Sequence, residues 1–93
     1  MTPEKVLEVI EIYRGYFEEM GIKKIEYLHD ELLDSGIHGL EHCHGMLDKM
    51  VVFVKEGRME KAFRWLGFIQ YAFWQNRIYT LNDLKNHSRP DAE

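Results

Sequence analysis

The chain is short of the features that mark most functional classes. It has one cysteine in 93 residues, Cys43, so no internal disulfide can staple it, and the composition suits a reducing cytoplasm. Nowhere does an apolar run approach the ~18 residues of a membrane span, and the first residues, MTPEKVLEVIEIYR, carry acids where a signal peptide is basic and apolar. Twelve Lys and Arg face sixteen Asp and Glu, a net charge of −4, which argues against the basic footprint of duplex DNA binding. Also missing are a Gly-rich phosphate loop, a GxSxG elbow and a cysteine with an evident base. These absences lead to a cytoplasmic, non-enzymatic protein without cofactor or membrane anchor.

An apolar content of 45% and an aromatic content of 13% are those of a globular protein, and the length allows one domain, residues 1–93. Thr2-Pro3-Glu4 is a helix start, with a capping hydroxyl, a proline suited to the first turn and an acid at the positive dipole end. Val6, Val9, Ile10, Tyr13 and Phe17 then recur at helical spacing, and Gly21 terminates the helix near Met20. Ile25, Leu28, Leu32 and Leu33 predict a short helix over about 23–34. Leu40, Cys43, Leu47, Met50, Val51 and Val54 predict another over about 39–55, closed by Gly57. A tight link at Arg58 implies an antiparallel hairpin with a helix over about 59–76. Thr80 and Asp83 form a capping box for a last helix, which stops before Ser88-Arg89-Pro90, and Asp91 to Glu93 are expected to fray. The expected fold is all-α, a small bundle of four to five helices around a central buried helix at 59–76.

That helix carries the most information. Between Ala62 and Trp74 only Arg64 and Gln70 are charged or carry an amide. A rotation of about 100° per residue sets Arg64, Phe68, Tyr71 and Gln75 on one side, and Phe63, Leu66, Gln70 and Phe73 on another, with Trp65, Ile69 and Ala72 flanking. Only one side can face the other helices of so small a monomer, so the second aromatic side needs a partner, most economically another copy. Gly67 lets a neighbouring helix approach there. The alternative is a ligand site in which Arg64, Trp65 and Trp74 grip a nucleotide between subunits.

Other constellations are weaker. His38 and His42 are four apart and could share a metal with Glu41, His44, His29 or Asp48, but the order HGLEH is not the HExxH of zinc peptidases, and no metal is assigned. Asp30, Glu31 and Asp34 resemble a fragment of the magnesium sites of all-helical nucleotide pyrophosphohydrolases. The tandem EExxE element fails at Glu18-Glu19, so a metal-dependent hydrolase is a distant alternative. Cys43 lies on an apolar stripe, as an inert small hydrophobe. The capped turn Tyr79 to Lys85 resembles part of a helix-turn-helix, yet no recognition helix follows it.

The run GRMEKAFRWLGFIQ at 57–70, Trp74, and IYTLNDLKNHSRP at 78–90 resemble the C-terminal signature of small helical proteins of bacteriophages and prophages. That signature reads GRxEKAxRWLGFIQ, a tryptophan, then an IYTLxxLKxHxRP-like ending. His42 and Met46 fit a looser EHxxxM pattern, and Gly45 departs from it, standing where such proteins carry a bulkier aromatic. The resemblance implies a phage origin without an assigned activity, and small phage accessory proteins often bind host components. That class includes inhibitors of host defence and sponges for nucleotide second messengers. The expectation is therefore a homo-oligomer that binds a host or phage protein in the host cytoplasm.

Overall fold

A computed structural model describes residues 1–90, and the expected fraying of Asp91 to Glu93 lies outside the described residues. Four helices follow in order: α1 (Pro3–Glu19), α2 (Gly36–Lys55), α3 (Met59–Gln75) and α4 (Leu81–Ser88), and no strand occurs among the described residues. The fold is the expected small all-α bundle.

Local chemistry sets the helix ends. Thr2 Oγ1 accepts from the Lys5 amide at 3.1 Å to open α1, and Thr80 and Asp83 exchange both capping-box bonds to open α4. Three helices close in the same way. Beyond α1 the Ile22 amide reaches back to the Phe17 carbonyl (2.9 Å), beyond α2 Arg58 to Phe53 (2.8 Å), and beyond α3 Ile78 to Phe73 (2.9 Å). Each closure needs a left-handed residue, supplied by Gly21 (φ 69°), Gly57 (φ 77°) and Arg77 (φ 63°). At Arg77 an L side chain takes on a conformation that glycine adopts without steric cost.

Two expectations are corrected. Residues 22–35 form an irregular strap, not a helix over 23–34. Two of their amides bond to α2, Ile25 to the Glu41 carbonyl and Tyr27 to His42 Nδ1, and within the strap a single turn is closed, Glu31 to the Leu28 carbonyl. The leucines that suggested the helix find no core, and Leu32 is 99% exposed. α2 also starts at Gly36, three residues before the expected Gly39. The second correction concerns the middle of the bundle. α2 packs against both α1 and α3 and contributes eight buried residues, against four from α3 (Ala62, Leu66, Ile69 and Phe73). The helix at 59–75 is thus buried along one side and not all round.

The short α4 buries only Leu84, and eight residues are too few to hold a helix by themselves. A polar cluster anchors it. Gln70 Nε2 donates to the Tyr13 hydroxyl (3.0 Å) and to Ser88 Oγ (3.2 Å), which leaves the Tyr13 proton for His87 Nδ1 at 3.1 Å. Burial pushes the Tyr13 hydroxyl up to about 12, so it keeps that proton. Around it Tyr13, Phe17 and Phe73 pack ring on ring, with centroids 4.6 Å apart for Tyr13–Phe73 and 5.1 Å for Phe17–Phe73.

Tyr13→Phe keeps the ring and strips Gln70 and His87 of their partner, so urea unfolding should show a loss of about 1–2 kcal/mol. A change under ~0.3 kcal/mol would contradict this role. Arg77→Gly relieves the left-handed conformation and should gain about 1 kcal/mol in the same assay, whereas a loss would mean that the arginine side chain holds the turn.

Candidate functional site

The packing of α3 decides which of its side chains remain available. Ala62, Leu66, Ile69 and Phe73 turn into the core, so the opposite side turns outward. Arg64, Phe68, Tyr71 and Gln75, grouped on one side by their spacing, are all exposed. Phe63 joins them instead of following Leu66 and Phe73 inward, Gln70 is half-buried in the Tyr13 cluster, and Trp74 is exposed beside Tyr71 at 6.1 Å between rings. Gly67 lies amid these residues, and a Cβ built on it meets nothing within 4 Å. The fold itself therefore does not require a glycine there. The aromatic side continues into a groove of about 480 Å³ between α3 and α4, lined by Tyr71, Trp74, Leu81 and Leu84.

Arg64, Trp65 and Trp74 do not converge within one copy of the chain. Trp65 is half-buried on the side towards α2, edge-on to Phe53 at 4.8 Å, with Lys61 Nζ 5.7 Å above its ring. Trp74 is nine residues further along, about half a turn away around the helix, on the opposite side. Arg64 has no ion pair or hydrogen bond among the described residues.

Three of the histidines, His38, His42 and His44, are occupied in tying the strap to α2. The Tyr27 hydroxyl donates to Glu41 (2.8 Å) and lies 2.7 Å from His38 Nδ1, which is itself 3.1 Å from Glu41; the bonds from Tyr27 and then His38 hold the Glu41 carboxyl below its ordinary range. His42 Nδ1 accepts the Tyr27 amide at 3.1 Å. His44 is buried, stacks on Phe17 (4.9 Å) and donates from Nδ1 to the Ile22 carbonyl at 2.7 Å. Its Nε2 has no hydrogen-bond partner among the described residues. Two ion pairs complete the attachment, Lys24–Asp48 (3.0 Å) and Lys49–Glu26 (2.7 Å), with Arg14 also on Asp48 at 2.9 Å. No three His, Cys, Asp or Glu side chains gather into a metal-binding group among the described residues. Asp30, Glu31 and Asp34 are exposed on the strap, and Cys43 is buried, its thiol pushed up to about 12.

Sequence reasoning missed a cleft of about 490 Å³ where strap, α2 and α3 meet. Lys24, Glu26 and His29 come from the strap, His42, Gly45, Met46, Asp48 and Lys49 from α2, and Trp65 and Phe68 from α3. Three elements build it, and one was expected as a helix, so no local pattern could reveal it. The single available signal was Gly45, a glycine inside a helical stripe.

Burial, then the neighbouring His29, lowers His42 below its ordinary 6.5, and burial lowers His87 likewise. Such a ring binds its proton less readily folded than unfolded, so the unfolded state takes up more protons as pH falls through 6.5, and stability falls with pH. A protonated His42 also turns a donor towards the Tyr27 amide. The urea midpoint should be lower at about pH 5.5 than at about pH 7.5, and His42→Gln, whose amide oxygen can still accept from Tyr27, should reduce that difference. An undiminished difference in the variant would contradict the role of His42.

No protein-family model matches the chain, and comparison with curated proteins and with solved structures yields no significant similarity to either.

Proposed function

We propose that the chain is a non-catalytic protein-binding module that self-associates through the outward side of α3 and engages a protein partner in that form. The observation that carries this reading is the exposed aromatic side of a helix whose other side is fully packed. A whole aromatic side chain presents roughly 200 Å². With Phe63, Phe68, Tyr71 and Trp74 exposed by 39, 59, 56 and 46%, about 400 Å² of aromatic surface faces outward. A contiguous patch of that size marks an interaction site on a monomer-sized surface. Two copies contribute about 800 Å², and Leu81, Gln75 and the Arg64 stem bring the total towards the ~1,000 Å² of a specific interface.

The pattern is self-complementary about Gly67. In an antiparallel pair crossing there, Phe63 of one copy meets Tyr71 of the other, since each lies four residues from the glycine. Arg64 then reaches the Tyr71 and Trp74 rings of the second copy, at the carbonyl end of its α3. That end has no basic residue of its own in the last turn, and a guanidinium is favoured both by the helix dipole and by the rings. A parallel pair would set Arg64 against Arg64. The resemblance of 57–90 to phage-encoded proteins makes a host protein the expected partner and inhibition of a host defence component the expected effect.

Sedimentation velocity at about 50 µM should read twice the 11.1 kDa chain mass, and Tyr71→Glu should read one chain mass while retaining cooperative unfolding, because Tyr71 lies outside the core. A monomeric wild type, or a Tyr71→Glu variant that remains dimeric, would refute the self-association.

A further inference from the structure

The cleft between strap, α2 and α3 is distinct from the self-association surface, sharing only Phe68 with it. Its floor is the α2 face that presents His42, Gly45, Met46 and Lys49, its walls Trp65 and Phe68 on one side and the strap with His29 on the other. Gly45 sits in mid-helix, where glycine costs about 1 kcal/mol relative to alanine. A Cβ there meets nothing within 4 Å, so no packed neighbour explains the glycine. What its missing side chain provides is the open floor of the cleft.

The polar groups around this floor define the chemistry that fits. Lys24 is paired with Asp48, and Lys49 with Glu26, so the rim presents no surplus charge of either sign. With Nδ1 accepting the Tyr27 amide, neutral His42 carries its proton on Nε2, and that N–H has no partner among the described residues. Met46 adds a polarizable thioether beneath, and Trp65 and Phe68 add aromatic surface. A volume of about 490 Å³ is in the range of small-molecule sites.

We infer that this cleft binds an uncharged, planar heteroaromatic ring, seated over Gly45 between the Trp65–Phe68 wall and the strap, with an edge acceptor held by the His42 Nε2–H. An anionic ligand gains nothing here, because each lysine already has its carboxylate. A purely aliphatic ligand leaves the His42 donor unpaired.

The probe is adenosine, an uncharged planar base on a sugar, titrated into the ¹⁵N-labelled full chain to about 5 mM and followed by NMR. Saturable shifts are expected at the Gly45 amide and the Trp65 indole N–H, with a Kd below about 1 mM. AMP should bind within about threefold of adenosine. Gly45→Leu, which fills the floor and raises helix propensity, should weaken binding at least tenfold with an unchanged or higher Tm. Tyr71→Glu should bind like the wild type, which separates this site from the self-association surface. The assignment is overturned by the absence of saturable shifts at Gly45 and Trp65, by AMP binding tenfold tighter than adenosine, or by undiminished binding in Gly45→Leu. The wild-type titration decides the matter even if Gly45→Leu fails to fold.

Discussion

α2 can cover only one side of α3, and the rest of the molecule is arranged around that limit. Leu66, Ile69 and Phe73 reach the core, where Phe73 stacks on Phe17 and packs at a tilt against Tyr13 of α1. Once α1 and α3 have taken the apolar surface that α2 offers, little is left for the remaining segments. The strap and α4 are therefore held mainly by polar bonds, and the outward aromatics of α3 are left to water or to a partner. Among the described residues, no further helix lies over Phe68, Tyr71 and Trp74.

Polar bonds also explain the path of the strap. Its irregular backbone would leave donors and acceptors unsatisfied beside α2, and two histidines and the Glu41 carbonyl take up three of them. The Ile22 carbonyl meets His44, the Tyr27 amide meets His42, and the Tyr27 hydroxyl meets Glu41. Histidines at this density resemble a metal set in the linear sequence. In three dimensions they fasten a segment that cannot form its own helix. The same fastening holds the strap along α2 and bounds the cleft above Gly45.

The sequence was most legible where the decisive interaction is local. The Thr2 and Thr80 caps, the turns at Gly21 and Gly57, and the inward stripe of α1 all follow from neighbours a few residues apart. It failed at 22–35 because the spacing of Ile25, Leu28 and Leu32 is helical while the competing partners, the Glu41 carbonyl and His42, are remote in sequence. Arg77 closes α3 with the geometry of the two glycine turns, yet arginine gives no hint of a positive φ. On the outward side of α3, periodicity grouped Arg64, Phe68, Tyr71 and Gln75 correctly as neighbours. It misplaced Phe63, which borders both sides, while the nine-residue spacing of Trp65 and Trp74 already sets them about half a turn apart.

The central claim is that the second side of α3 is covered by another copy crossing at Gly67. Gly67→Cys tests it most directly, because the native Cys43 thiol is buried and does not compete. Two helices crossing at a glycine bring the substituted positions to roughly 6 Å between Cα atoms, within disulfide reach. Under mild oxidation at about 10 µM, the account predicts that Gly67→Cys converts almost wholly to a covalent dimer, while Lys55→Cys, exposed at the end of α2, forms almost no covalent dimer. Equal, slow cross-linking of the two variants would contradict it.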